Sequence, residues 1–165
     1  MSEAVREKAQ GVRIRRARQS EAARLSALAL ASKAVWGYDA QFLERCRAEL
    51  TVSVDYIASQ PAYVAEADGR TAGFYGLSLA GGGASLDYLF VDPQQLRRGL
   101  GEALWRHALG VARSLGAGAL LIEADPNAEA FYRRMGAQRV GAVASGSIPG
   151  RELPLLRCAP LGEQR

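Results

Sequence analysis

The segment Asp92-Pro93-Gln94-Gln95-Leu96-Arg97-Arg98-Gly99-Leu100-Gly101 separates two stretches of different periodicity. Before it, Ala84 to Val91 reads as a strand, which Pro93 terminates. After it, Leu104, Ala108, Val111 and Leu115 fall on one helical stripe that ends near Gly116. Gly99 and Gly101 carry no Cβ, so the backbone can approach an anion closely. The first amides of the helix lack internal partners and can point at a phosphate. Arg97 and Arg98 add positive charge at the same place. The segment has neither the G-x-x-x-x-G-K-S/T of triphosphate loops nor the G-x-G-x-x-G of dinucleotide sites. Alone, a Gly-x-Gly before a helix is also an ordinary turn or cap.

Upstream of this segment, two helices follow a first strand and three consecutive strands come after them. Gly11 to Ala17 alternates, with Val12 and Ile14 opposite Arg13 and Arg15. Ser20 opens an Ala/Leu-rich helix to about Ala31, with Glu21 in its first turn. Phe42, Cys46 and Leu50 repeat every fourth residue after Asp39, predicting a second helix. Ala62–Ala67 and Thr71–Ala80 flank Asp68-Gly69, a strong hairpin signal. Downstream, strands and helices alternate. Ala119–Ala124 is a short apolar strand, and Pro126 opens a helix that Gly136 closes. Two more strands are expected near Gln138–Ala144 and Leu153–Cys158. The order predicts an α/β fold with a mixed sheet. Residues 1–10 read as a flexible tail and 11–165 as one domain.

The chain has 165 residues and a net charge of +4. Residues 1–18 alone hold six basic and two acidic side chains, so the remainder balances. A solvated basic tail and first strand explain this excess without a nucleic-acid surface, and no nucleic-acid motif accompanies it. Cys46 and Cys158 have no metal-ligand spacing and read as thiols of a reducing compartment, with a disulfide left open. No apolar leader opens the chain and no run suits a membrane span, so a cytoplasmic location is expected.

Two segments carry a family resemblance: Leu86-Asp87-Tyr88-Leu89-Phe90-Val91-Asp92-Pro93 with Arg97-Arg98-Gly99-Leu100-Gly101, and Glu123 to Ala137 with Asn127 and Phe131-Tyr132. Their order and distance resemble the GCN5-related N-acetyltransferases (GNAT), over roughly residues 12–158. The resemblance implies the GNAT fold, with six or seven strands, about four helices, and a splay between the fourth and fifth strands. It implies acetyl-CoA as donor, no metal, and a homodimer. Leu96 departs from the family, whose loop has Gln or Arg there; that position offers mainly its backbone amide.

The same resemblance implies roles for particular residues. Arg97, Arg98, Gly99, Leu100, Gly101 and Glu102 would receive the pyrophosphate, and Leu89, Phe90 and Val91 would pair with pantetheine as an added strand. Asn127 and Phe131 would contact the cofactor, although Asn127 also suits a helix cap. Tyr132 would donate a proton or hydrogen bond to the departing thiolate, its alternative being a core tyrosine. Asp87 and Glu123 are both candidates for the base that deprotonates the amine, and the residues do not separate them. Strict strand alternation puts Asp87 opposite Leu86, Tyr88 and Phe90, on the side of Leu89 and Val91. His107 lies outside the apolar stripe and reads as a solvated surface histidine.

The acceptor side rests on Ser32–Tyr38 and Ser145–Arg151, which resemble segments of some bacterial family members. Trp36 and Tyr38 can wall a pocket for an ammonium, and Arg151 can hold a carboxylate or phosphate. The expected function is direct acetyl transfer to a primary amine of a small molecule. The rival is a noncatalytic acyl-CoA-binding or sensing module.

Overall fold

Alternating patterns and turn chemistry build the first half of the sheet. Val12–Arg16 (β1), Ala62–Ala67 (β2), Arg70–Ala80 (β3) and Gly83–Val91 (β4) pair antiparallel in sequence order. Asp68 and Gly69 form the β2–β3 turn with φ of 54° and 75°, the positive pair that suits the strand twist. Leu120–Glu123 (β5) joins β4 in parallel. Gln138–Ala144 (β6) and Glu152–Cys158 (β7) complete a seven-stranded sheet in the order β1-β2-β3-β4-β5-β7-β6. This computed structural model describes residues 11–96, 99–159 and 161. The expected tail, residues 1–10, lies outside the described residues.

Local caps start the helices of one face. Ala22–Ala34 (α1) follows a short turn, Gln19–Glu21, in which the Glu21 carboxylate accepts the Arg18 amide at 2.8 Å. Ala40–Leu50 (α2) begins where Asp39 accepts the Phe42 amide, and Val54–Ser59 (α3) where Ser53 accepts that of Tyr56. The six residues of α3 are too few for a readable period, which is why the sequence pattern missed it. Leu25, Leu28, Cys46, Leu50 and Ile57 pack here with Val64 and Phe74, and Tyr88 and Phe90 join them. On the opposite face lie Leu100–Ser114 (α4) and Glu129–Arg134 (α5). Their Leu100, Leu104, Trp105 and Tyr132 pack with Tyr75, Leu77, Leu86 and Leu120. Each face thus has its own apolar core. No helix among the described residues is long and apolar enough to cross a membrane.

Three expectations are corrected. The first strand is not simply solvated: Arg15 bonds Glu66 at 2.6 Å and Glu21 at 2.9 Å, joining β1 to β2 and to the turn before α1. Second, Asp87 does not share a side with Leu89 and Val91. Gly76 pairs with Tyr88 and Leu77 with Leu86, so Asp87 is an extra residue, a β-bulge, in β4. The bulge interrupts the two-residue alternation. Leu86, Leu89 and Val91 therefore face the α4 core, while Asp87 meets Tyr56 of α3 beside Tyr88.

Third, His107 is half-buried rather than solvated. Its Nδ1 lies 2.6 Å from the Tyr75 hydroxyl, and its ring packs 4.7 Å from that of Tyr63. The helical stripe excluded it, but tyrosine rings rising from β2 and β3 cover it. Burial lowers its pKa below the ordinary 6.5. The unfolded chain therefore takes up a proton first as pH falls, and stability present above about pH 6.5 declines toward the folded pKa. Because the chain has one histidine, urea unfolding at pH 7.5 and 5.5 reads this directly. The loss on acidification is expected to shrink in His107→Leu, even though that variant leaves Tyr75 unpaired.

Candidate active site

Only two residue pairs join β4 to β5: Ala84 with Leu120, and Ser85 with Leu121. Beyond them β4 continues along β3, whereas Ile122 and Glu123 of β5 pair with Leu156 and Leu155 of β7. The strands diverge and leave a cleft of about 1650 Å³. One end of the cleft reaches the start of α4, where Gly99 adopts φ 76°, a left-handed conformation that favours glycine. The Ala103 amide donates to Gly99 O, so the amides before it have no partner within the helix. Leu96, half exposed, and Leu100, Gly101 and Glu102 line this end, with Glu102 also held by Arg106 at 2.8 Å. Arg97 and Arg98 lie outside the described residues.

Along the cleft run Leu89, Phe90 and Val91 of β4, with Asn127, Phe131 and Tyr132 opposite. Tyr132 is 6% exposed and packs against Trp105 and Phe131. Among the described residues no group hydrogen-bonds its hydroxyl. Burial, and then the nearby Asp125 carboxylate, push its phenol above the usual value, so it keeps its proton. Tyr132 is thus core by packing and cleft-lining by position.

Asp87 and Glu123 both line the cleft in different settings. Asp87 accepts hydrogen bonds from Tyr56 at 2.7 Å and Ser78 at 3.1 Å. Burial raises its pKa above that of an ordinary carboxylate, and those two bonds offset part of the rise. Glu123 ends β5 as an exposed residue, and no described group bonds its carboxylate. Asp87 reaches the cleft from the α1–α3 side and Tyr132 from the α4 side. The opening between β4 and β5 is where the two faces meet. Among the described residues no acidic, histidine or cysteine cluster could hold a metal, and both cysteines are free thiols.

The Acetyltransferase (GNAT) family matches residues 29–137, most of this sheet and both walls of the cleft. The chain belongs to the GNAT family. Enzymes of this family use acetyl-CoA. The peptidyl-lysine N-acetyltransferase YjaB of Salmonella typhimurium is 33% identical over 152 residues, 88% of this chain and 95% of its own. A mycothiol acetyltransferase of Clavibacter michiganensis subsp. michiganensis is 47% identical over 72 residues, 42% of this chain. That match spans only 24% of the mycothiol enzyme's length. The PaiA N-acetyltransferase of Thermoplasma acidophilum, solved with coenzyme A, shares the fold at TM-score 0.75 and 17% identity, covering 90% of this chain and 98% of its own.

The end of the cleft beside Trp36 and Arg151 is organised by Asp125, a residue the sequence did not single out. Its carboxylate accepts from Lys33 at 3.2 Å, from Tyr38 at 3.0 Å, and from the amide of Asn127 at 2.8 Å. The Tyr38 oxygen in turn accepts from Arg151 at 2.6 Å and from the Asn127 side chain at 3.0 Å. Asn127 is therefore a bridging residue, and Asp125 is the cap of its turn. Burial opposes ionisation of Asp125, but the Asn127 amide, Lys33 and Tyr38 outweigh it and hold its pKa low. Tyr38 stacks on Phe42 at 4.1 Å, and the Arg151 guanidinium lies 4.8 Å from the Phe42 ring. Trp36 and Arg151 line the cleft, whereas Tyr38 stands behind the lining with its hydroxyl fully engaged.

This network ties the end of α1 to the turn after β5 and to the β6–β7 loop. Glu49 of α2 adds a bond from Ser147 at 3.0 Å. Tyr38→Phe is expected to cost about 1–2 kcal/mol, because Asp125 and Arg151 each lose a partner. Hydrogen exchange should quicken at the Ser145 amide, which bonds Arg151 O at 2.7 Å. Unchanged exchange there would show that the network does not hold the loop.

Proposed function

We propose that this chain catalyses direct transfer of acetyl from acetyl-CoA to a primary amine, with Asp87 as base and Tyr132 as acid. The observation that carries the reading is their convergence, from opposite faces of the sheet, on the cleft where β4 and β5 separate. The cleft suits the donor. Its α4 end offers amides with no partner within the helix for a pyrophosphate, and the divergent edge of β4 offers backbone groups to an extended pantetheine. Bound there, acetyl-CoA supplies the thioester carbonyl that an amine attacks.

An amine is an ammonium at neutral pH and must first lose a proton. Asp87 suits taking it: burial raises its pKa above that of an ordinary carboxylate, and the residue lines the cleft. Tyr132 keeps its proton and has no competing partner among the described residues, so it can donate to the departing sulfur. Glu123 stays a candidate for a water-mediated route from the other lip. Residues 89–91 would hold the donor by backbone, and Asn127, Phe131 and the residues from Gly99 to Glu102 would complete its contacts. Trp36 is half exposed at the acceptor end and suits cation–π contact with the ammonium. The latched loops around Asp125 favour a small acceptor. A lysine side chain of a peptide is the second reading, favoured by the name of the Salmonella relative.

The test is release of free thiol from acetyl-CoA across amino acids, polyamines, aminoglycosides and lysine peptides. Turnover is expected only with an amine present. Asp87→Asn and Tyr132→Phe should each lower kcat about 10²–10⁴-fold, while acetyl-CoA still raises their Tm. Stabilisation by acetyl-CoA with no turnover on any amine would favour a noncatalytic binding module instead.

A further inference from the structure

We propose that Tyr56 is a positioning residue for Asp87, its single hydroxyl hydrogen turning between Asp87 Oδ2 and the Leu77 carbonyl as Asp87 loses and gains a proton. The proposal rests on the reading of Asp87 as the base.

The geometry offers one hydrogen two acceptors. Tyr56 Oη lies 2.7 Å from Asp87 Oδ2 and 3.2 Å from Leu77 O. A phenol has one O–H to donate but can accept as well. While Asp87 is ionised, the hydrogen goes to Oδ2 in the stronger, charge-assisted bond. When Oδ2 carries a proton, Asp87 donates to Tyr56, and the Tyr56 hydrogen turns to Leu77 O. In both states the Tyr56 hydroxyl and the Asp87 oxygen stay paired with each other, and the Leu77 carbonyl takes the Tyr56 hydrogen only while Asp87 is protonated. The proton that arrives comes from the acceptor ammonium and later leaves to solvent. Tyr56 changes partner but loses no proton, because burial and the adjacent Asp87 raise its pKa far above neutrality.

Three elements build this arrangement. The β4 bulge at Asp87 both aims the carboxylate at α3 and disrupts the ladder beside Leu77. Ser53 caps α3, fixing the turn that carries Tyr56. Gly76 makes room for the phenol: a Cβ there would stand 2.5 Å from Tyr56 Oη. The other groups facing the pair are Ser78 from β3, which bonds Oδ1, and Tyr88 from β4, whose ring meets Tyr56 edge-on at 5.1 Å. Arg16 of β1 also acts on Tyr56, favouring its ionised form. No ion pair to Asp87 occurs among the described residues. Its protonation is therefore governed by burial and by these hydroxyls.

The test compares wild type, Tyr56→Phe and Gly76→Ala in two readouts: the pH profile of kcat/KM, and a ¹³C NMR titration of the Asp87 carboxyl, assigned with Asp87→Asn. Tyr56→Phe removes a bond that favours the ionised form more than the neutral one. The Asp87 titration and the acidic limb of the profile should both move up by about one pH unit, with KM for acetyl-CoA unchanged. Gly76→Ala, which displaces the hydroxyl without deleting it, should move both the same way and serves if Tyr56→Phe folds poorly. An unmoved or lowered titration in these variants overturns the proposal. If Asp87 titrates as expected but Asp87→Asn keeps full rate and the same limb, the base reading has failed, and the role of Tyr56 in the reaction falls with it.

Discussion

Two residue pairs, Ala84 with Leu120 and Ser85 with Leu121, hold the halves of this sheet together. Everything functional depends on their being so few. Had β4 and β5 stayed paired to their ends, the sheet would separate α1–α3 completely from α4 and α5. β5 pairs with β7 along all four of its residues but with β4 through only the first two, so beyond Leu121 its β4-facing edge is open. The bulge at Asp87 then turns β4 where the strands part. The backbone groups left along the divergent edges need partners, and an extended ligand can supply them in a way that water does less specifically.

The two aspartates near this opening illustrate how environment separates roles. Asp125 is surrounded by donors from Lys33, Tyr38 and Asn127, with Arg151 at 3.6 Å, and its pKa is held low. It has no capacity left for a proton or a substrate and acts as a mechanical tie between loops. Asp87 has only two hydroxyl donors, and burial pushes its pKa up. A carboxylate that is short of partners and open to a cleft is the one suited to moving protons. Arg151 donates from Nη2 to Tyr38 and stacks against Phe42, which fixes its guanidinium at the cleft wall.

Much of this frame was legible in the chain. The Asp68-Gly69 turn, the Asp39 cap and the stripe from Leu104 to Leu115 are local features, and local chemistry dictates them. The loop before α4 and the Phe131-Tyr132 pair could be read through family resemblance, though Arg97 and Arg98 fall outside the described residues. The bulge could not be read. A β-bulge is a property of two strands in register, and nothing in the run Leu86 to Val91 by itself marks one. That single extra residue reversed the side assigned to Asp87 and concealed its partner Tyr56. His107 and Asp125 were missed for a related reason, since their surroundings come from rings and loops far away in sequence. Ser53 ahead of Tyr56 was the one local sign of α3, and it was too slight to show what the helix carries.

The most direct test of the split-sheet account is a crystal structure with acetyl-CoA or a nonhydrolysable analogue. The account predicts the pantetheine arm lying between β4 and β5 alongside Leu89 to Val91, with the pyrophosphate at the start of α4. The reacting carbon should lie between Tyr132 and the lip that carries Asp87. A ligand bound elsewhere, or β4 and β5 paired along their whole length with no cleft between them, would contradict it.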